Sequence, residues 1–239
     1  MEVVKFIVGG MLPYVAVAVF LAAMTYRIYV WKKLPQPPMT LFPAPPTGRS
    51  NTVNTIKEAA FFRSLFRGDR LLWSFAWVFH VVLALIFMGH LRVFTNVDAV
   101  LTQAGVSESG IQLMSGGVGG AAGIIVLVTA LMLLVRRFTI KRVRDITGYG
   151  DIFALLLVGA ILVTGNIMRF GAEHFDLAAA REYFAALATF KGISEAAVLD
   201  NNVFLIHMGL ALLLVMYIPF SKILHFGGIF FTHQLIRKH

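Results

Sequence analysis

Five long apolar stretches dominate this sequence, at residues 6–30, 71–91, 117–135, 152–170 and 203–218, and we expect the last to continue to His225. An α-helix needs about 20 apolar residues to cross the hydrocarbon core of a bilayer. A segment in lipid must bond its backbone polar groups internally, which a helix does. The sequence therefore predicts an all-α membrane protein, with five transmembrane helices in a bundle and a single domain over residues 1–239.

Composition agrees with a membrane protein and excludes several other classes. Hydrophobic residues make up 58% of the 239 positions and charged residues 14%, whereas soluble domains average about 45–50% and about 25%. The sequence has no cysteine, which excludes disulfides, a Cys-ligated zinc, an iron–sulfur cluster of its own and covalently attached c-type haem. We assign the net charge of +9 to cytoplasmic loops rather than to nucleic-acid binding.

The segments between the apolar stretches differ in charge. Residues 32–70, residues 136–149 and the tail together carry 15 Lys and Arg, against five in the remaining segments, with Arg27 inside the first stretch counted in neither. Because Lys and Arg are retained on the cytoplasmic side, the N-terminus is predicted outside and the C-terminus inside. We expect a multi-pass protein of the cell inner (cytoplasmic) membrane, with its first stretch retained rather than cleaved as a signal peptide.

The loops and the third stretch allow further interpretations. Residues 34–46 are Pro-rich and cannot form regular helix or inner strand; we favour an extended linker over a surface that lies against a partner. Residues 58–66 are predicted to form an amphipathic helix on the inner surface. For the glycines of the third stretch we favour close helix packing over space for a flat cofactor. They are Gly116, Gly117, Gly119, Gly120 and Gly123.

Four of the seven histidines fall within or at the ends of the second and fifth stretches. An ionisable residue in a membrane span is costly and is a functional candidate, although a single one has a hydrogen-bonded structural role as its alternative. The four are His80, His90, His207 and His225. The other three, His174, His233 and His239, lie in a loop or the tail and are interpreted as solvated side chains.

The spacing of the four histidines predicts two pairs at different depths. Ten residues separate His80 from His90, and eighteen separate His207 from His225, which is five whole turns of a continuous helix. Because the two helices run antiparallel, His80 faces His225 near the inner side and His90 faces His207 near the outer side. Two imidazoles facing each other can hold a haem iron, whereas zinc needs a third or fourth ligand. The sequence therefore predicts two b haems stacked between helices 2 and 5, their irons bound by these four histidines.

Several motifs resemble the gamma subunit of respiratory nitrate reductase, a five-span di-haem cytochrome b. They cover nearly the whole chain apart from residues 32–70 and parts of the outer loops, and the histidines match at all four positions. The motifs are Pro13-Tyr14-Val15-Ala16, Ala18-Val19-Phe20-Leu21, Phe79-His80, Phe87-Met88-Gly89-His90, Ser115-Gly116-Gly117, Val135-Arg136-Arg137, Arg142-Val143-Arg144, Gly150-Asp151-Ile152, and His207 with Pro219-Phe220-Ser221-Lys222-Ile223-Leu224-His225.

The resemblance implies a respiratory function. Family members oxidise quinol near the outer haem and pass electrons to a cytoplasmic iron–sulfur subunit, so Gly89 and His90 would border the quinol pocket. A lysine that the family places in that pocket has no counterpart in Val106-Ser107-Glu108-Ser109. Because residues 32–70 form a longer loop than we expect of the nitrate reductase subunit, we favour the related group that serves sulfite-reductase-linked (Dsr) or heterodisulfide-reductase-like complexes.

The expected function is thus a quinol-oxidising oxidoreductase subunit of a multi-subunit respiratory complex, with two haem b groups and menaquinol or another quinol as substrate. The electron acceptor would be the iron–sulfur partner, where terminal catalysis takes place. Two alternatives remain: a transporter or proton channel that uses the histidines as a relay, and a structural anchor. Arg92, Arg169 and Lys222 are candidates for pairing with haem propionates, with solvated or lipid-headgroup roles as the alternative.

Overall fold

The computed structural model describes residues 2–33, 49–171, 175–191 and 197–225. Within these ranges five helices are long and apolar enough to cross a membrane, which confirms the five predicted from the sequence. We call them the first to fifth spans: Glu2–Lys33, Arg70–Phe94, Glu108–Thr139, Tyr149–Phe170 and Asn202–Phe220. The direction in which they cross and the extent of the domain stay predictions.

Shorter helices connect the spans. They are Arg49–Phe61, Arg63–Gly68, Val97–Gln103, Lys141–Arg144, Leu177–Ala188 and the 3-10 turn Ala197–Asp200. The predicted surface helix over residues 58–66 is in fact two helices, because Phe62 takes a left-handed backbone conformation with φ of 49° between them. The Pro-rich segment 34–46, His174, His233 and His239 lie outside the described residues.

The spans have a basic end and an opposite end. The basic end, where the second and fourth spans begin and the other three finish, carries Arg63, Arg67, Arg70, Arg136, Arg137, Lys141, Arg142, Arg144 and Lys222. Polar side chains stop the spans from fraying where they begin: Asp69, Ser107 and Asn201 each accept a hydrogen bond from the backbone N–H three residues ahead. Such caps satisfy backbone donors that the first helical turn leaves unpaired.

The spans pack in the order second, third, fourth, fifth, first. One buried cluster, formed by Phe79, Val126, Ala130 and Leu162, joins the second, third and fourth spans. The second and fifth spans are not main packing partners of each other, since the second packs on the third and the fifth packs on the fourth and first. The two helices that carry the histidines are therefore held in place mainly by other helices.

The opposite end is closed by a second buried cluster under the helix Leu177–Ala188. Its centre is Tyr183, which is 1% exposed and whose hydroxyl donates to the Gly9 carbonyl at 2.7 Å. Burial raises the pKa of Tyr183, so the hydroxyl keeps its proton for this bond. A Cβ on Gly9 would lie 2.8 Å from Leu199 Cδ2, so any larger residue at this position would require the Leu199 side chain to move.

An ion-pair network fixes the same helix to the end of the second span. Asp98 Oδ1 accepts from Arg92 Nε at 2.7 Å and Oδ2 from Arg181 Nη2 at 2.6 Å. Arg181 Nε also donates to the Arg92 carbonyl at 2.6 Å. The hydrogen bond from Arg92, together with that from Arg181, holds the pKa of Asp98 below its usual value.

The fifth span departs from the sequence expectation. Its α-helix ends at Tyr217, and two 3-10 turns, Ile218–Phe220 and Lys222–Leu224, follow before His225. Proline has no N–H and clashes with the preceding turn, so Pro219 ends the regular helix. The prediction of a continuous helix to His225, and with it the count of five whole turns from His207, is wrong.

The glycines of the third span divide between two environments. A Cβ on Gly123 would lie 2.6 Å from Asn166 Oδ1 in the fourth span, whereas Gly116 and Gly117 have no neighbouring atom within 4 Å of that position. Asn166 Nδ2 donates to the Gly123 carbonyl at 3.0 Å. Among the described residues, close packing therefore applies to Gly123, later in this stretch, and not to its first two glycines, Gly116 and Gly117.

We predict that Gly123→Ala destabilises the protein, because Asn166 must move and lose its bond to the carbonyl of residue 123. Asn166 Nδ2 also donates to the Leu162 carbonyl at 2.8 Å, so the cost is that of one hydrogen bond, about 0.5–1.5 kcal/mol. Gly159→Ala is the matched control, since its Cβ meets nothing within 4 Å and alanine favours the helix by about 1 kcal/mol. Thermal unfolding in detergent measures both; equal midpoints for the two variants contradict close packing at Gly123.

The Asp98 network predicts a pH-dependent contribution to stability. A carboxyl whose pKa is lowered by folding stabilises the folded state above its unfolded pKa of about 4, and the stabilisation is lost as the pH falls through the folded value. Asp98→Asn lacks this contribution, so its thermal midpoint is expected to lie below that of the parent at neutral pH and to converge with it in acid. Glu182→Gln, next to Arg181 on the helix Leu177–Ala188, is the control; a constant gap at every pH contradicts the prediction.

Candidate functional site

The structure brings the four membrane histidines together as two pairs. The ring centres of His80 and His225 lie 5.8 Å apart with their planes at 86°. Those of His90 and His207 lie 6.3 Å apart with planes at 11°. His80 and His225 are at the basic end and the other pair is towards the opposite end, so each pair bridges the second and fifth spans at its own depth.

In every pair the Nδ1 atom of each ring is next to a backbone carbonyl. His80 Nδ1 lies 2.7 Å from the Ala76 carbonyl and His90 Nδ1 lies 2.7 Å from the Ile86 carbonyl, each one turn back on its own helix. A carbonyl only accepts, so Nδ1 must carry the proton. The lone pair is then on Nε2, which is the form of histidine that binds a metal ion.

His207, in the fifth span, and His225, in the segment that follows it, are fixed by different means. His207 Nδ1 lies 3.1 Å from the Ile161 carbonyl and 3.0 Å from Thr164 Oγ1, both in the fourth span. His225 Nδ1 lies 2.9 Å from the Lys222 carbonyl in the turn before it. All four rings therefore present Nε2 as the free nitrogen.

The donor set fits a metal held between two imidazoles. An imidazole nitrogen binds a metal at about 2 Å, and two rings on opposite sides of one ion then have centres about 6 Å apart, as both pairs do. Within the described residues there is no group of three or more His, Asp or Glu that could hold a metal ion. The pairs thus suit the axial positions of a macrocyclic iron, whose other four ligands come from the ring, better than a zinc ion.

Aromatic side chains surround the histidine pair at the basic end. Phe62 and Phe79 each meet the His80 ring edge-on, with centres 5.2 Å away. Phe62 reaches this position because its left-handed backbone turns the chain between the two surface helices. The indoles of Trp73 and Trp77 donate to the carbonyls of Phe61 and Ala60 and fix the surface helix to the second span; these bonds are 2.8 and 3.0 Å long.

The basic side chains proposed from the sequence as propionate partners have protein partners. Arg92 is bound to Asp98, and Lys222 Nζ lies 2.8 Å from Asp151 Oδ2. Arg169 reaches Ser115 Oγ at 3.5 Å. The structure thus gives each of these residues a contact within the chain, and their pairing with haem propionates stays a prediction.

Gly89 and His90 lie on an exposed part of the second span. No atom of the described residues lies within 4 Å of the place where a Gly89 side chain would begin, and Met88 beside it is 64% exposed. The stretch that lacks the family lysine has a structural use, because Ser107 Oγ accepts from the Gly110 N–H at 3.1 Å and caps the third span. Whether quinol binds beside Gly89 and His90 stays a prediction, as does haem binding by the four histidines.

Sequence reasoning missed three side chains that support the site. Thr164 faces His207 from the fourth span. The signal that could have found it in the sequence is a hydroxyl side chain within an apolar helix. Arg27 was noticed only as a charge inside the first span, and its Nε donates to the Pro219 carbonyl at 2.9 Å. Asp151 belongs to the motif Gly150-Asp151-Ile152, but sequence reasoning assigned it no role. The signal that could have found it is a carboxylate at the start of an apolar span.

Comparison with known proteins relates the chain to membrane subunits of redox complexes. The family model described as nitrate reductase gamma subunit matches residues 62–238, a range that includes all four histidines. A protein of Archaeoglobus fulgidus named Hdr-like menaquinol oxidoreductase cytochrome b-like subunit is 33% identical, over 95% of this chain and 78% of that protein. Its namesake in Archaeoglobus profundus is 29% identical, over 92% and 76%. The respiratory nitrate reductase 1 gamma chain of Escherichia coli is 28% identical, over 64% and 69%.

We predict that Thr164→Val raises the midpoint potential of a haem held by His207. The Thr164 hydroxyl donates to the Ala160 carbonyl and is free to accept from His207; such a bond makes the imidazole a stronger donor and favours the oxidised iron. Thr164→Ser keeps the hydroxyl and is expected to keep the potential. Thr129→Val, which removes a hydroxyl bonded only within its own helix, is the control in redox titrations, and an unchanged potential in Thr164→Val contradicts the prediction.

Proposed function

The chain belongs to the nitrate reductase gamma subunit family, and we propose that it transfers electrons between the menaquinone/quinone pool and a cytoplasmic iron–sulfur subunit through two b haems with paired histidine ligands. Membership makes it a multi-pass membrane subunit of cytochrome b type in an oxidoreductase complex. We place it in the cell inner (cytoplasmic) membrane, with the basic end of the bundle inside.

The observation that carries the proposal is the pair of facing imidazoles at each of two depths. In this assignment His90 and His207 hold the outer haem iron, and His80 and His225 hold the inner one. A haem with two imidazole ligands has no open coordination position, so it supplies one-electron transfer rather than oxygen binding. The carbonyls at Nδ1 keep each ring in the ligating tautomer.

Quinol oxidation is assigned to the opposite end, beside Gly89 and His90. The open surface at Gly89 and the exposed Met88 are accessible to an apolar molecule that arrives through the bilayer. Quinol releases two electrons and two protons on oxidation, and the protons would leave to the outside. Asp98 is not the first proton acceptor in this scheme, since Arg92 and Arg181 keep its pKa low.

The partner is assigned to the basic end. Arg63 and Arg67 make no ion pair with any described residue, and Glu58 and Asp69 beside them are bound to Ser64 and Arg136. Such a surface suits an acidic protein face, although retention on the cytoplasmic side and anionic lipid also attract these charges. The Archaeoglobus relatives, named as subunits of an Hdr-like menaquinol oxidoreductase, favour menaquinol as the quinol and a heterodisulfide-reductase-like partner.

Electron flow from outside to inside separates charge across the membrane. Moving one charge against 100 mV takes about 2.3 kcal/mol. The reduction potential of the partner sets the direction, so a partner that delivers electrons reverses the reaction and reduces quinone.

The experiment is purification in mild detergent, followed by reduced-minus-oxidised spectra and haem quantification. The parent chain is expected to contain two b haems, and His80→Ala and His207→Ala one each, since loss of one ligand opens only one pair. His174→Ala, in the predicted outer loop, is the control and retains both. A colourless protein, or four single histidine variants that all keep two haems, contradicts the assignment and favours the histidine-relay transporter or channel.

A second experiment tests the substrate and partner. We expect a menaquinol analogue to reduce the haems in membranes, and Gly89→Leu to slow this reaction while dithionite still reduces all the haem. Haems that quinol cannot reduce in the parent would favour the structural anchor. Identification of the subunits that copurify from the native membrane names the acceptor, and a complex without an iron–sulfur subunit contradicts the proposed partner.

A further inference from the structure

His225 differs from the other three paired histidines because it lies beyond its regular helix. The α-helix of the fifth span ends at Tyr217, and Ser221 is extended, with φ of −114° and ψ of 169°. Backbone carbonyls at such a break have no intrahelical partner. The position of the His225 ring therefore depends on whatever holds the segment from residue 218 to residue 225.

An ion pair from the fourth span holds the second half of this segment. Lys222 Nζ lies 2.8 Å from Asp151 Oδ2, and the Asp151 side chain is 6% exposed. Asp151 Oδ2 also accepts from the Gly148 N–H at 3.0 Å and lies 3.8 Å from Arg137 Nη1. A carboxylate buried to this degree needs its partners, because an unpaired buried charge is strongly unfavourable.

The residue bound by Asp151 is the same one that orients His225. The Lys222 carbonyl accepts the Nδ1 proton of His225 at 2.9 Å. The side chain of Lys222 thus connects to the fourth span while its backbone sets the rotation of the imidazole. Ser221 Oγ, which accepts from the Ile223 N–H at 3.2 Å, keeps the intervening turn closed.

Two further bonds hold the first half of the segment. Arg27, in the first span, donates from Nε to the carbonyl of Pro219, which is fully buried. The Tyr217 hydroxyl donates to the Gly150 carbonyl at 3.2 Å. A guanidinium inside a span is costly, and here it satisfies a carbonyl that the break in the helix leaves without an N–H.

We propose that Asp151 is a positioning residue. Through its ion pair with Lys222 it sets the ring plane of His225 relative to His80, while Arg27 holds the preceding part of the same segment at Pro219. This rests on the proposed function, because the angle matters only if both rings hold one iron. His90 and His207, by contrast, make no ion pair with any described residue: their polar partners there are carbonyls and Thr164. The ion pair of Asp151 with Lys222 therefore acts on the pair formed by His80 and His225 alone.

The test uses low-spin ferric haem signals in electron paramagnetic resonance, because their g anisotropy depends on the angle between the two axial imidazole planes. In the purified full-length protein, Asp151→Asn and Lys222→Met are expected to shift the maximum g value and the midpoint potential of the haem that His80→Ala removes. The other haem is expected to keep both values. Lys222→Arg preserves the ion pair and is expected to restore the parent signal.

Matched controls are available at the same end of the bundle. Asp145→Asn and Lys141→Met remove exposed charges that make no ion pair with the described residues, and both are expected to leave the two signals unchanged. Lys222→Met changes a side chain that is 81% exposed, and thermal unfolding beside the parent shows whether the bundle is retained in this variant and in Asp151→Asn.

The outcomes separate this inference from the proposed function. Parent-like signals for both haems in Asp151→Asn and in Lys222→Met overturn the positioning role while leaving the haem assignment intact, and equal shifts of both haems overturn it as well. A parent protein without haem overturns the proposed function, and the positioning role with it.

Discussion

Each of the four membrane imidazoles has a backbone carbonyl beside its Nδ1 atom, and the rest of the site follows from that interaction. A polar group in the bilayer interior has no water to bond, so an unpaired N–H is strongly unfavourable there. Once Nδ1 is bound, the ring cannot rotate freely and only Nε2 can act as a ligand. In each pair the centres of the two rings lie about 6 Å apart. The two pairs are therefore the same kind of site at two depths.

The packing order of the spans explains how the pairs stay apart. The second and fifth spans are held by the third, fourth and first, so their facing surfaces are set by helices that carry no ligand. Small residues allow this arrangement: the Gly123 backbone accepts from Asn166, and Gly9 admits Leu199. Side chains, rather than direct helix contact, therefore define the space between the two spans that carry His80, His90 and His207.

The two ends of the bundle are stabilised by different kinds of interaction. The opposite end is closed by a buried apolar cluster around Tyr183, with the Asp98 ion pairs at its edge. The basic end has no comparable cluster among the described residues and instead uses charged contacts, of Asp151 with Lys222 and of Arg27 with the Pro219 carbonyl. A histidine fixed by charges responds to substitutions that leave the helices intact, and so the two pairs are separable by experiment.

The sequence by itself determined the five spans and which four histidines come together in pairs, because both depend on local properties: the length of an apolar run, and the cost of an ionisable group within it. It also determined which end is basic. Tertiary structure alone decided how His225 reaches His80, since Pro219 ends the helix on which the sequence argument relied and contacts from two other spans hold the turn that follows. Thr164, Arg27 and Asp151 were out of reach for the same reason: their partners are from 43 to 192 residues away in the chain, and only packing brings them together.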